Sequence, residues 1–347
     1  MNFSNLLIQW YLQNKRDLPW RNTQDPYPIW LSEIMLQQTR VAQGLPYFLS
    51  FTNAFPTVFD LANASEEQVL KLWQGLGYYS RARNLHQTAQ HIAFDLKGVF
   101  PNSYKDLLQL KGIGDYTAAA IASFAYAEAV PVVDGNVFRV LSRYFALETD
   151  IAIASSKKEF AALAFELMPK DKPALFNQAI MEFGALQCVP KNPNCEICVM
   201  NSSCLALQQK KVSVLPVKSK KLKVKYRFFN YLVFEDPQGH TAIQKRTGKG
   251  IWHNLYEFPL VETDDEIDFE VLSKTVTARY YTQQEIVSIA PFCSKNPIHK
   301  LTHQHLHIKF WKIKLHATIV GGIDFQTLNT FPFPIVIHNF IENDFLK

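Results

Sequence analysis

Four cysteines, Cys188, Cys195, Cys198 and Cys204, lie within seventeen residues in the pattern C-x6-C-x2-C-x5-C, and the chain has one other cysteine, Cys293. Thiols gathered this tightly ask for a metal, because short loops let all four converge on one centre. Disulfides need an oxidising compartment, and Met1 to Trp20 lack the charged-then-apolar layout of an export signal. Zinc is the nearer rival, since four cysteines suit a tetrahedral site. Zinc sites usually set two close cysteine pairs across a longer loop. A single close pair, Cys195 and Cys198, flanked by wider gaps favours a cubane [4Fe-4S] cluster and leaves zinc as the alternative.

The rest of the composition sets a frame around that loop. With 347 residues, 48% hydrophobic and 19% charged, the chain has room for two globular domains. No apolar run nears the ~18 residues that would span a bilayer, so the expectation is a cytoplasmic protein in a reducing compartment. The net charge of +5 permits a polyanionic partner without demanding one. Eight basic residues and no acid lie between Gln208 and Arg227. That stretch reads as a linker whose charge either meets phosphates or is simply solvated.

Before the linker, apolar residues recur at three- and four-residue spacing: Leu6 and Trp10, Trp30 and Ile34, Ile121 and Ala125. Ser65 and Ser103 read as N-caps. After the linker, Tyr226 to Phe234 and His307 to Leu315 are rich in β-branched and aromatic residues, and Pro237-Gln238-Gly239 reads as a hairpin turn. The fold class is therefore multi-domain: an all-α domain over 1–207, a basic linker over 208–227, and an α+β domain over 228–347.

Within the helical part, Leu110-Lys111-Gly112-Ile113-Gly114 separates two helical patterns, Tyr104 to Leu110 and Asp115 to Tyr126. Two glycines at that spacing allow a sharp turn that exposes N–H groups at a helix start, a seat for phosphate. A tight turn with no ligand is the plain alternative. Asp134, after an apolar run and before another helical pattern, is either a helix N-cap or a carboxylate beside that seat. Glu33, Gln37 and Arg40 share one helical face, which by itself describes a solvated stripe.

These segments together resemble the helix-hairpin-helix DNA glycosylase superfamily, and within it the adenine-excising family. The matching stretches are Leu18-Pro19-Trp20, Trp30 to Thr39, Gly75 to Asn84, Leu110 to Gly114, Val133 to Val137 and the cysteine loop. The resemblance implies a monomeric enzyme that acts on double-stranded DNA and removes adenine opposite 8-oxoguanine or guanine. It implies a catalytic set of Glu33, Asp134, Tyr116 and Asn136, with Glu33 as general acid and Asp134 facing the cationic sugar. An adenine pocket of Arg16, Leu18, Trp20, Arg21, Leu36 and Gln178 follows from the same likeness. So do DNA contacts at Gln38, Tyr78, Arg81, Arg83, Lys111, Gly112 and Gly114, with Gln38 on a helix and Tyr78 on a glycine turn acting as wedges.

Position 116 sharpens the expectation. Lyase-competent relatives carry a Schiff-base lysine two residues after the second hairpin glycine, and here that residue is Tyr116. Base excision without strand cleavage is expected. The rivals are an endonuclease III-like glycosylase/lyase and a non-catalytic iron–sulfur DNA-binding protein.

In the second domain, Gly250 to Pro259 resembles the opening of a Nudix-type fold, without the clustered acids that hold magnesium in Nudix hydrolases. The resemblance places 8-oxoguanine recognition at Leu301-Thr302-His303, where the family pattern is Phe-Ser-His. His299, His303, His305 and His307 alternate and would share a strand face, a pattern for which metal binding is the less economical reading.

Overall fold

The computed structural model describes residues 2–219, 224–292 and 296–345. Cys293 and residues 220–223 of the expected linker lie outside the described residues. The chain divides into two compact units, Met1–Asn63 with Asn84–Lys220, and Ala64–Arg83 with Lys221–Lys347. This differs from a single cut near residue 207, because a twenty-residue segment of the N-terminal half packs with the C-terminal half.

The first unit is helical. Its core joins Phe3, Leu7, Trp10 and Tyr11 of the Phe3–Asn14 helix to Val137, Val140 and Leu141 of the Gly135–Tyr144 helix and to Phe176, Ile180 and Phe183 of the Pro173–Leu186 helix. Each such side chain, once fully buried, stabilises by ~1.5–3 kcal/mol. The Pro26–Met35 helix opens on Asp25, which accepts from Tyr27 N, with Pro26 in its first turn. It ends at Met35, so Gln37 and Arg40 do not continue the face of Glu33. Gln38, expected on a helix, sits in the following turn with φ 59°.

The expected hairpin helix Tyr104 to Leu110 stops at Leu107. Gly112 takes φ +76°, and a Cβ there would come within 2.7 Å of the Asn84 side chain, so the turn needs glycine twice over. Asp115–Tyr126 begins on Gly114 with no side-chain cap, which leaves its first N–H groups free of that competition. Residues 208–219 do not form a free tether. Leu215 is buried, Lys211 pairs with Glu148 at 2.5 Å, and Ile151 N donates to Val217 O at 3.0 Å.

The second unit is built on a mixed sheet. Lys225–Glu235 runs parallel to Gln304–Leu315 and antiparallel to Leu260–Thr263. Ile286–Pro291 and Ile298–Lys300 pair antiparallel with opposite ends of Gln304–Leu315. The Phe269–Arg279 helix contributes Leu272 and Val276 to a core with Leu232, Phe234, Trp311 and Ile313. Residues 237–239 do turn, with Asp236 N donating to His240 O, but His240–Thr241 then pairs with Ile323–Asp324 instead of closing a hairpin. The histidines also differ from expectation. His299 stands opposite Leu306 in register, which puts it on the other sheet face from His305 and His307.

The segment Ala64–Arg83 is tied into this unit by Glu67, which accepts from Lys245 Nζ at 2.9 Å and Tyr256 Oη at 2.7 Å, and by Glu66, which accepts from Asn254. Ser65 caps the Glu66–Leu72 helix in a reciprocal capping box with Gln68. Among the described residues, no helix is long and apolar enough to cross a membrane.

Candidate active site

Three elements of the first unit bring Glu33, Tyr116 and Asp134 together. Glu33, in the last turns of the Pro26–Met35 helix, is 6% exposed. Tyr116, in the first turn of Asp115–Tyr126, donates a hydrogen bond to its carboxylate. Asp134 caps the Gly135–Tyr144 helix, and its Oδ1 accepts from Asn136 N and Val137 N, both at 2.8 Å. Its Oδ2 accepts from Asn136 Nδ2 at 2.7 Å. The cap reading of Asp134 holds, and the helix start keeps the carboxylate still.

Burial drives the electrostatics of the pair. Loss of hydration pushes Glu33 up to about 7, the nearby Asp134 charge pushes the same way, and the Tyr116 hydrogen bond and Arg21 oppose it. Burial also raises Asp134, but hydrogen bonds from Val137 and Asn136 favour its ionised form. Burial thus favours the protonated acid at Glu33 more openly than at Asp134, whose hydrogen bonds from Val137 and Asn136 support its carboxylate.

Sequence reading missed the residues that fix this geometry. Asn177, 1% exposed, donates to Ser123 Oγ and Val130 O and accepts from Val132 N, anchoring the run that leads into Asp134. Arg139 donates to Asn136 Oδ1 at 2.8 Å, Gly184 O at 2.6 Å and Cys188 O at 2.7 Å. Gly184 lies so close that a Cβ would stand 2.6 Å from Asn136 Cβ. A buried asparagine or arginine leaves no periodic signature, which is why none of these was legible.

Of the expected pocket residues, Arg21 acts electrostatically on Glu33. Leu18 and Trp20 are buried, with Trp20 edge-on to Phe48 at 4.9 Å, and Leu36 caps the helix of Glu33. Arg16 and Arg21 both bind Glu182, a residue the sequence reading did not single out. Gln178 Oε1 accepts from Tyr11 Oη at 2.7 Å. On the hairpin, Lys111 is exposed while its carbonyl accepts from Thr88 at 2.6 Å.

In the second unit, Tyr78 is 51% exposed with φ 48°, whereas its neighbour Tyr79 is buried. Tyr78 Oη lies 2.6 Å from Thr302 Oγ1, and His303 is exposed. Leu301 N donates to Gln304 O, closing the loop between its two strands. Arg81 and Arg83, expected on phosphates, are used internally. Arg81 donates to Leu76 O and Gly77 O and lies over the Trp73 ring, and Arg83 donates to His253 O at 2.8 Å. Arg81 thereby ties down the glycine turn that presents Tyr78.

The four cysteine thiols line one cavity together with Val140, Phe183, Met200 and Leu207. Among the described residues no three Cys, His, Asp or Glu side chains are close enough to share a single ion. Thiols that ring an apolar cavity fit a cluster with one iron per cysteine, and Arg143 Nη1, 3.4 Å from Cys188 Sγ, adds a donor toward that anionic group. Cys198→Ala is expected to remove the broad absorption near ~410 nm of the purified protein and bound iron with it. A visible spectrum unchanged by the substitution would exclude Cys198 as a ligand.

Comparison with known proteins agrees with this architecture. Residues 31–170 match the family described as HhH-GPD superfamily base excision DNA repair protein. Residues 188–204 match the iron–sulfur binding domain of endonuclease III, and 230–343 a NUDIX domain. A thermostable thymine-DNA glycosylase structure superposes with TM-score 0.56 at 30% identity, covering 60% of this chain and 95% of its own. An adenine DNA glycosylase of Buchnera aphidicola subsp. Schizaphis graminum is 36% identical over 88% of this chain and 86% of its length. That of Arabidopsis thaliana is 34% identical over 92% of this chain and 58% of its own. The fold is that of a base-excision DNA glycosylase with a [4Fe-4S] loop and a Nudix-like domain. Within that class the chain belongs to the adenine DNA glycosylase family. It is an enzyme and its partner is DNA.

Proposed function

We propose that the protein hydrolyses the N-glycosidic bond of adenine mispaired with 8-oxoguanine or guanine, and that it leaves the DNA strand intact. The observation that carries this reading is the buried Glu33, hydrogen-bonded to Tyr116 and facing Asp134. Adenine leaves poorly because departure puts negative charge on the purine. Glu33, held protonated by burial, gives its proton to a ring nitrogen as the bond to C1′ breaks and its electrons pass to the base. Asp134, fixed by Asn136 and the helix start, faces the oxocarbenium-like sugar. A water then bonds to C1′ and returns a proton to Glu33. Tyr116, in the place of a Schiff-base lysine, has no amine to form an imine.

Flipping the adenine out of the duplex requires the gap to be filled. Gln38 and Tyr78 are the wedges in this reading, and both occupy left-handed backbone in turns. Lys111, Gly112 and Gly114 seat a phosphate, and Arg81 and Arg83 lie near the DNA backbone, Arg81 also supporting the Tyr78 turn. Arg16, Leu18, Trp20, Arg21, Leu36 and Gln178 enclose the base. Leu301, Thr302 and His303 read the 8-oxoguanine, with Leu301 a smaller apolar contact than the family's phenylalanine. The working unit is a monomer.

The cluster, held by Cys188, Cys195, Cys198 and Cys204, supplies a rigid anchor for its loop and takes no part in base chemistry. The test is single-turnover incubation with duplex carrying adenine opposite 8-oxoguanine. Free adenine with uncut strands until alkali is added is the expected result. Direct strand cleavage, trapped by borohydride, would favour an endonuclease III-like glycosylase/lyase. Absence of base release would leave a binding protein.

A further inference from the structure

Glu182 lies on the Pro173–Leu186 helix with its side chain 1% exposed. Its two oxygens take four guanidinium bonds: Arg16 Nε at 2.8 Å and Nη2 at 2.6 Å, Arg21 Nη1 at 2.9 Å and Nη2 at 2.7 Å. The backbone N–H of Arg16 adds a fifth at 3.0 Å. Such paired forks fix both side chains in position and direction. One carboxylate against two guanidinium groups leaves a single net positive charge where two would otherwise stand.

That charge matters because Arg21 acts electrostatically on Glu33 and favours its ionised form. The groups acting on Glu33 come from several elements: Tyr116, Asp134 and Arg21 act on it directly, and Tyr11 and Glu182 act in turn on Arg21. Of these, Glu182 offsets the guanidinium charge through direct hydrogen bonds, and the Arg21 guanidinium lies over the Tyr11 ring, 5.7 Å from its centre.

We propose that Glu182 is a positioning residue that clamps Arg16 and Arg21 and screens their charge, so that Glu33 works beside one net positive charge instead of two. The inference rests on the reading of Glu33 as the proton donor. Burial works against the charge of Glu182, but the hydrogen bonds from Arg16 and Arg21 outweigh it and hold the carboxyl down at about 2, so the screen is in place throughout the working pH range. Removing it would stabilise the Glu33 carboxylate and deprive the site of its acid at lower pH.

The experiment measures the single-turnover excision rate of the full chain from pH 5 to 9 for the parent, Glu182→Gln, Glu182→Asp and Glu182→Gln with Arg21→Met. In Glu182→Gln the alkaline limb should move down by about one pH unit, the scale of a nearby charge, with rates at pH 8 falling about tenfold and rates near pH 5.5 changing little. Glu182→Asp should keep the parental limb, and Arg21→Met should restore it in the Glu182→Gln background. A uniform loss at every pH, with the limb unmoved, would overturn the proposal and reduce Glu182 to a packing role. The Glu33 carboxyl titration, followed by infrared difference against Glu33→Gln in each background, gives the same answer without turnover. A protein that releases no adenine yet shows the shift refutes the functional reading and keeps the clamp.

Discussion

Exchanging Glu33 for glutamine is expected to abolish adenine release while making the protein more stable. The first effect follows from loss of the proton donor, a step worth about 10²- to 10⁴-fold in general acid catalysis. The second follows from linkage. Glu33 titrates at about 7 in the folded chain, against ~4.3 for a free glutamate. Between those values the native state binds the extra proton, so stability declines as pH rises and the whole penalty is present above about 7. A glutamine carries no such penalty and should gain on the order of 3–4 kcal/mol at pH 8. Thermal unfolding at pH 8 and pH 5 checks the sign: the variant should melt several degrees higher at pH 8 and near the parent at pH 5. Equal melting temperatures at both pH values would mean that the carboxyl is not strained by burial at all.

Asp134 separates charge from architecture in a different way. Asparagine is as good an N-cap as aspartate, so Asp134→Asn should keep the bonds to Asn136 N and Val137 N and leave stability within a few tenths of a kcal/mol. Excision should nevertheless fall about 10²- to 10³-fold, the scale of losing one preorganised charge opposite a charged transition state. Asp134→Ala should lose the same activity and, in addition, ~1 kcal/mol of stability with the cap. DNA affinity for the mispaired duplex should survive both. An Asp134→Asn enzyme that excises within about threefold of the parent would remove the carboxylate from the chemistry.

Much of the fold could be read because its signals are local. The cysteine spacing, the two-glycine turn and the caps at Ser65, Ser103 and Asp134 each depend on a few consecutive residues, and the structure places those caps as expected. Positions that depend on where a helix stops were harder. Gln37 and Gln38 look helical by periodicity, yet the helix ends at Met35 and Gln38 takes a left-handed turn. The arginines at 81 and 83 look like phosphate ligands because sequence cannot show which carbonyls surround them. Glu182, Asn177 and Gly184 were invisible for a related reason: their partners, Arg16 and Arg21, Val132, and Asn136, lie 45 to 166 residues away along the chain.

The segment Ala64–Arg83 carries a practical corollary for anyone exchanging parts between relatives. Its acids answer to Lys245, Asn254 and Tyr256, and Phe333 N donates to Gln74. A hybrid spliced at one junction would seat Glu66 and Glu67 against a stranger's side chains. A transplant of the Nudix-like portion has to move two pieces of chain, and Tyr78 travels with them.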